Sequence, residues 1–352
     1  MSDDGRMLAA DRPAEIVRAN GEDAFRVLDE IDGGWWAGFL SYDLGRAVER
    51  VPSSAPNDPP IPDLVLARFD GFREWVGVAR GRETSRAMPT WRSSLDREAW
   101  IAAVRAIHEH LLAGDCYQVN LTRRLESDTE LDPASLFDAL RRGNPAPHAA
   151  LIALDDVAVV SASPERFLRV DGRSIETRPI KGTSSDADEL VTSEKDRAEN
   201  VMIVDLARND LGRVCEYGSI TVDGLCELEA HPGLYHLVST VRGTLRAGVS
   251  RGDLIKATFP PASVTGCPKP RVLEIIETLE PVRRGVYCGA VGFIDAGNDV
   301  MDWNVAIRTF TITGGKTYFG VGAGIVADSD AEAEWDETEL KASKLLKIAS
   351  GG

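Results

Sequence analysis

Between residues 286 and 326 the chain runs through glycine and β-branched residues with no helical period, and this is what most limits its fold. Such a stretch reads as several strands in succession. Consecutive strands without a helix between them pair antiparallel, because a parallel pair needs a crossover. The helical patterns stand apart from the strand clusters. From Asp96, the residues Trp100, Val104, Ile107 and Leu111 recur at helical spacing until Gly114. Cys116 to Leu125 reads as a strand. Residues 151–180 read as strands broken at Asp155-Asp156, Ser163-Pro164 and Asp171-Gly172. Ser193 with Asp196 predicts a capped helix to about Arg208. Thr265-Gly266-Cys267-Pro268-Lys269-Pro270 leads into a helix with Val272, Ile275, Ile276 and Leu279 on one face. Ser329 with Glu332 predicts a second capping box before a helix to about Ile348. With no regular βαβ alternation and no repeat, the expected class is α+β.

The N-terminal part is less patterned. Residues 1–30 read as a polar lead-in and a short helix, and Gly33 to Tyr42 as a strand. Val51 to Asp63 holds Pro52, Pro56, Pro59, Pro60 and Pro62 and reads as a loop. Residues 64–79 read as a strand pair.

Composition narrows the function. The net charge is −16, which repels nucleic acid and anionic lipid, so neither is an expected partner. A small anionic substrate then requires local cations. No apolar run approaches the ~20 residues that span a bilayer. Met1 to Asp11 is polar and acidic, with no targeting pattern. The five cysteines, Cys116, Cys215, Cys226, Cys267 and Cys288, form no C-x-x-C pair. A reducing cytoplasm is the expected compartment. His108 and His110, two apart on a helix, point away from each other and read as surface residues.

Two predicted helices carry acids on one face: Asp196 and Glu199 on the first, and Glu334, Glu337 and Lys341 on the last. Each set alone reads as ordinary surface charge. Facing one another, Glu199 and Glu337 would suit a hard cation such as Mg²⁺. Lys181, in Arg178-Pro179-Ile180-Lys181-Gly182-Thr183, reads either as a solvated turn amine or as a nucleophile with an acid nearby. Gly320, Gly322 and Gly324 have the wrong spacing for a dinucleotide loop.

Seven segments together resemble the chorismate-utilising enzymes. They are Cys116-Tyr117-Gln118-Val119-Asn120-Leu121, Ser163-Pro164-Glu165-Arg166-Phe167, Arg178 to Thr183, Glu199 to Asp210, Thr265 to Lys269, Asp302 to Arg308, and Gly322 to Ile325. They run in order between about residues 95 and 347. The resemblance implies one α+β domain of two orthogonally packed antiparallel sheets covered by helices. Residues 1–90 would be a short N-terminal segment of that fold and 91–350 the chorismate-binding core. It implies that Glu199, Glu337, Glu334 and Asp196 hold Mg²⁺. Tyr287 and Arg308 would hold a substrate carboxylate, with Gly322, Ala323 and Gly324 approaching it as backbone. Thr183, His236, Thr265, Gln118 and Lys341 would complete the pocket.

Within that family the residues at 118 and 181 divide the reactions. Members that add water carry a lysine at the position of Gln118, and an amide cannot deprotonate water. Anthranilate synthases carry a small residue at the position of Lys181. The Pro-Ile-Lys-Gly-Thr pattern resembles aminodeoxychorismate synthases. The resemblance implies that Lys181 attacks C2 of chorismate while Glu165 protonates the departing C4 hydroxyl. Ammonia then adds at C4 and expels the lysine, giving 4-amino-4-deoxychorismate. Such an amine must lose its proton near neutral pH, which burial or nearby cations can cause.

No amidotransferase segment is visible, so ammonia is expected from a separate glutamine amidotransferase subunit. The product usually feeds para-aminobenzoate and folate and also serves some antibiotic pathways. Cys267 stands where alanine is common, and the Leu-Leu-Glu-Ser element that binds tryptophan in anthranilate synthases is missing. Two other readings stay open at this point. One is an anthranilate synthase component I. The other is a chorismate-binding subunit of a glutaminase complex without turnover of its own.

Overall fold

Antiparallel pairing organises the strands in the computed structural model, which describes residues 7–49, 51, 55–75, 89–184, 186–231 and 234–351. Among these residues two large sheets form, one of ten strands and one of seven, and every strand pair is antiparallel. The ten-stranded sheet includes Trp35–Leu40, Leu64–Phe69, Arg166–Asp171, Ile180–Ser184, Leu234–Thr244, Ala290–Asp295 and Val300–Val305. The seven-stranded sheet includes Gln118–Ser127, Val157–Ser163, Thr309–Thr313 and Lys316–Ile325. The N-terminal strand Trp35–Leu40 pairs with Ala290–Asp295 along its full length, so residues before 90 build the same sheet as the C-terminal part.

Burial explains the layering. Phe39, Val65 and Val291 of the larger sheet meet Val157 and Val159 of the smaller one in a core between them. The outer face of the larger sheet is covered by helices Glu22–Glu30, Glu194–Gly212 and Arg251–Thr258 through Phe25, Leu28, Val204, Leu211, Leu254 and Ile255. The smaller sheet is covered by Arg97–Ala113, Pro133–Gly143, Lys269–Leu279 and Ala331–Ala349. This is the α+β class that the scattered helical periods imply. No helix among the described residues is long and apolar enough to cross a membrane.

Strand alternation decides which residues face the site. On Gln118–Ser127, Val119 and Leu121 pack under helices with Ala323 and Ile325 of the neighbouring strand. Their sequence neighbours Gln118, Asn120, Gly322 and Gly324 therefore share the opposite face.

Several expectations need correction. Leu64–Phe69 and Arg73–Trp75 do not pair with each other; the first lies between Glu15–Ala19 and Trp35–Leu40, and the second pairs with Met7–Ala9. Both edges of Leu64–Phe69 are already occupied. The polar lead-in contains the strand Glu15–Ala19, an edge strand with mostly exposed side chains and so a weak apolar signal. The last helix is capped by Asp330, whose side chain accepts from the Glu332 and Ala333 amides. Ser329 instead donates to Glu334 Oε1 at 2.7 Å. Ser193 does cap its helix, accepting from the Asp196 amide. Sequence periodicity also missed the helices Pro133–Gly143 and Arg251–Thr258 and the hairpin Thr221–His231 with Leu234–Thr244.

One buried ion pair ties the elements beneath the site. Arg284 donates to both oxygens of Glu280, and the two side chains are 2% and 5% exposed. Arg284 also donates to the carbonyls of Asn120 and Val264, and Glu280 accepts from the Thr122 amide. The guanidinium lies 4.3 Å from the centre of the Tyr42 ring. Removing one partner strands a buried charge, which costs far more than losing an exposed pair. Glu280→Ala is expected to lower unfolding free energy by about 3–5 kcal/mol in urea denaturation. Glu22→Ala, which removes the exposed pair with Lys256, should change it by less than about 1 kcal/mol. Equal effects would contradict this assignment.

Candidate active site

Lys181 leaves the larger sheet and ends beside the smaller one. A Cβ added to Gly324 would lie 3.5 Å from Lys181 Nζ and 2.3 Å from Gln118 Nε2, so these three residues from two sheets converge. The lack of a side chain at Gly324 makes that approach possible. Gly182, the residue after the lysine, has φ +82° and would clash with Leu190 and Asp196 if it carried a Cβ. The backbone there needs glycine both for its conformation and for its packing against the start of helix Glu194–Gly212.

The lysine is not the solvated turn amine that its local sequence allows. Its side chain is 15% exposed, and its Nζ lies 3.9 Å from Glu199 Oε2. Burial pushes its pKa below 10.5; Glu199 opposes this, Lys341 reinforces it, and Glu165 and Glu337 oppose it. The acid is buried as well. Glu165 is 4% exposed. Desolvation raises its carboxyl to about 7, against a hydrogen bond from Ser263, the charge of Lys181 and the Ile180 amide. Its backbone is fixed by Ser163 Oγ, which accepts from the Glu165 amide, and by the Val305 amide, which donates to the Glu165 carbonyl.

The four predicted metal acids surround lysines. Glu337 pairs with Lys341 at 2.5 Å, Glu334 lies 3.9 Å from Lys195, and Glu199 lies 3.9 Å from Lys181. Asp196 packs against Gly182 at the start of its helix. Among the described residues they do not close into a three-ligand cage. Burial raises the Glu334 carboxyl, with Ser329 opposing. Burial also acts on Glu337, but Lys341 and Lys195 outweigh it and hold that carboxyl below its ordinary value. The donor set fits a hard cation: all are carboxylates, and Glu199 and Glu337 both act on the Lys181 amine.

Of the predicted substrate residues, Arg308 and His236 line a cleft whose walls include neither Lys181 nor Glu165. Thr183 and His236 are cross-strand partners, and Thr183 Oγ1 lies 2.8 Å from His236 Nδ1. Burial, with Arg308 and His231 nearby, lowers His236 to about 4, so it is neutral at physiological pH. Arg308 is half-buried, and among the described residues it makes no ion pair. Burial lowers its pKa, and its φ of 51° is a costly conformation for a residue with a side chain. It lines a cleft with His236, His231, Pro147 and Lys344. Tyr287 lies over Gly320, where a Cβ would fall 2.1 Å from the ring. Lys341 donates to the Gly322 carbonyl at 3.3 Å, and Ala323 is buried beneath. Thr265 is fully buried, and its hydroxyl donates to the Pro261 carbonyl. Gln118 is 1% exposed, and neither its amide oxygen nor its amide nitrogen has a partner. Such a group is expected to meet a ligand or water.

Sequence reading missed the residues that hold these in place. Asn200 donates to the Leu237 carbonyl and accepts from Ser239, locking the Glu199 helix to its sheet. Lys269 and Asp210 form a buried pair at 2.8 Å. Ser263 donates to Glu165. Asn200, Asp210 and Lys269 lie inside the quoted segments without a role assigned from sequence, and Ser263 lies just outside them.

Comparison with known proteins agrees with this geometry. Residues 78–347 match the family described as chorismate binding enzyme. The chain is 41% identical to aminodeoxychorismate synthase component 1 of Klebsiella aerogenes, over 88% of this chain and 76% of that protein. It is 39% identical to anthranilate synthase component 1 of Thermus thermophilus, over 89% of this chain and 77% of that protein. Anthranilate synthase component I from Streptococcus pneumoniae superposes with a TM-score of 0.84 at 26% identity, covering 97% of this chain and 92% of that one. With a family match over most of its length and relatives at 39% and 41% identity, the chain belongs to the chorismate binding enzymes.

Proposed function

We propose that this chain is an aminodeoxychorismate synthase component I, converting chorismate and ammonia to 4-amino-4-deoxychorismate. The observation that carries the reading is the desolvated amine of Lys181 within electrostatic reach of the buried acid Glu165. Burial favours the uncharged amine, which is the nucleophilic form. A carboxyl near 7 is well placed to give and take a proton at neutral pH. Lys181 forms a bond to C2 as the C4 carbon–oxygen bond breaks, and Glu165 gives its proton to the departing oxygen, which leaves as water. Ammonia forms the new bond at C4, the bond from C2 to Lys181 breaks, and Glu165 recovers a proton from the incoming nitrogen. Atoms and charge balance without an outside oxidant or acid.

Arg308, which among the described residues makes no ion pair, offers its guanidinium to one substrate carboxylate. Glu199 and Glu337, with Glu334 and Asp196 behind them, would hold Mg²⁺. When bound, the cation supplies positive charge to the second carboxylate. The two unpaired amide atoms of Gln118 can orient the incoming ammonia, and an amide gives water no base. Anthranilate synthases of comparable identity share the fold, but the reading here turns on Lys181. Because the similar relatives are named as first components, ammonia is assigned to a separate glutamine amidotransferase subunit. The reading places the protein in the cytoplasm and its product ahead of para-aminobenzoate and folate.

With chorismate, Mg²⁺ and ammonium, mass analysis should find 4-amino-4-deoxychorismate as the product. Lys181→Ala should lower its formation by about 10²-fold or more. Anthranilate from the unaltered protein, or undiminished output from the variant, would contradict the reading. Glu199→Gln should weaken Mg²⁺ binding by about tenfold or more in calorimetry without substrate. Unchanged affinity would remove Glu199 from the metal set.

A further inference from the structure

The Ser263 hydroxyl makes one side-chain contact of consequence, donating to Glu165 Oε1 at 2.6 Å. Both residues are buried, at 8% and 4% exposure. The bond joins the turn before strand Arg166–Asp171 to the short helical turn Ala262–Val264. That turn does not need this hydroxyl for its shape. The Val264 amide donates to the Pro261 carbonyl, the Thr265 amide to the Ala262 carbonyl, and Arg284 and Asn120 both donate to the Val264 carbonyl. A short bond from a buried hydroxyl, unnecessary to the turn that carries it, points to a role on Glu165.

We propose that Ser263 is a positioning residue for the acid: its hydroxyl holds the carboxyl in place through Oε1 and stabilises the carboxylate that forms as the proton departs. The proposal rests on Glu165 being the general acid. The Ile180 amide also donates to this carboxyl, and Ser263 adds the side-chain donor that a substitution can remove. As the proton moves to the leaving oxygen, negative charge grows on Glu165. A hydrogen bond to a charged acceptor is about twice as strong as one to a neutral acceptor. Ser263 therefore contributes more in the transition state than before it, which is the condition for acceleration.

The surroundings of Glu165 allow the effect to be isolated. Lys181 faces it from strand Ile180–Ser184. Asp210 lines a cavity with Glu165 and Ser263, and is neutralised by Lys269 at 2.8 Å. Arg166, next in the chain, is turned to Glu176 and Asp302. None of these contacts passes through the Ser263 hydroxyl. Because the hydroxyl favours the ionised carboxylate, removing it raises the Glu165 pKa. The high-pH limb of activity, where the acid loses its proton, must then move up.

The test uses Ser263→Ala and Ser263→Cys, which remove a strong donor with and without loss of volume, and Ser263→Thr, which keeps it. Melting temperatures verify folding, and Glu165→Gln serves as the control. Turnover and kcat/KM against pH are measured with chorismate, Mg²⁺ and saturating ammonium. Ala and Cys are expected to lower kcat by about tenfold or more, with KM for chorismate changed little. Their high-pH limb should rise by roughly one pH unit, the size of a charge-assisted hydrogen bond. Thr should restore both. Normal kcat and an unmoved limb in Ala and Cys, with Glu165→Gln inactive, would overturn the role of Ser263 alone. A loss of kcat without movement of the limb, or one that Thr does not repair, would overturn it too. Full activity in Glu165→Gln would overturn the general-acid reading beneath it.

Discussion

The site depends on the removal of one ammonium from water. Lys181 extends from the larger sheet into the space between Gln118 and Gly324 of the smaller one, where burial disfavours its charge. Much of the surrounding architecture serves that placement. The left-handed Gly182 sets the strand against the carboxylate helix, Asn200 fixes that helix to its sheet, and Gly324 leaves room for the Gln118 amide and the lysine amine. The acidic groups nearby pull the lysine back toward its charged form, so its state is a balance between burial and charge. A cation bound among those carboxylates would offset their pull and favour the free amine.

The same balance explains how a protein of net charge −16 can receive a dianion. Attraction is local rather than global. Arg308 lacks an acidic partner among the described residues, and Lys341 lies at the Gly322 carbonyl, close to the backbone that the substrate is expected to approach. His236 stays neutral because Arg308 and burial both lower it, so it offers hydrogen bonding without a charge of its own. The far acidic surface is screened over about 8–10 Å at physiological salt, leaving these groups to dominate inside the cleft.

The features legible in sequence were those with a period or a rigid local requirement. The helices Arg97–Ala113 and Lys269–Leu279 announced themselves by apolar spacing, and Gly114 by its stop signal. The lysine, the acid and the carboxylates were named because the ordered motifs resemble one family. What could not be read was the contact between distant segments. Ser263 and Glu165 are 98 residues apart, and Arg284 and Asn120 are 164 apart. No local pattern encodes such pairs. The hairpin Thr221–His231 with Leu234–Thr244 was missed because its first strand lies at an edge, shifts register between Val222 and Glu227, and leaves Val222, Leu225 and Leu228 exposed. Ser329 misled because a capping residue and a side-chain partner of Glu334 share one short sequence, and Asp330 takes the cap.

The most direct measurement is the protonation of the amine itself. Metal-free protein with isotope-labelled lysine, assigned by comparison with Lys181→Ala, can be titrated by NMR. The account predicts a Lys181 midpoint below the ordinary value of 10.5. A midpoint at or above 10.5, like that of a solvated lysine, would contradict it.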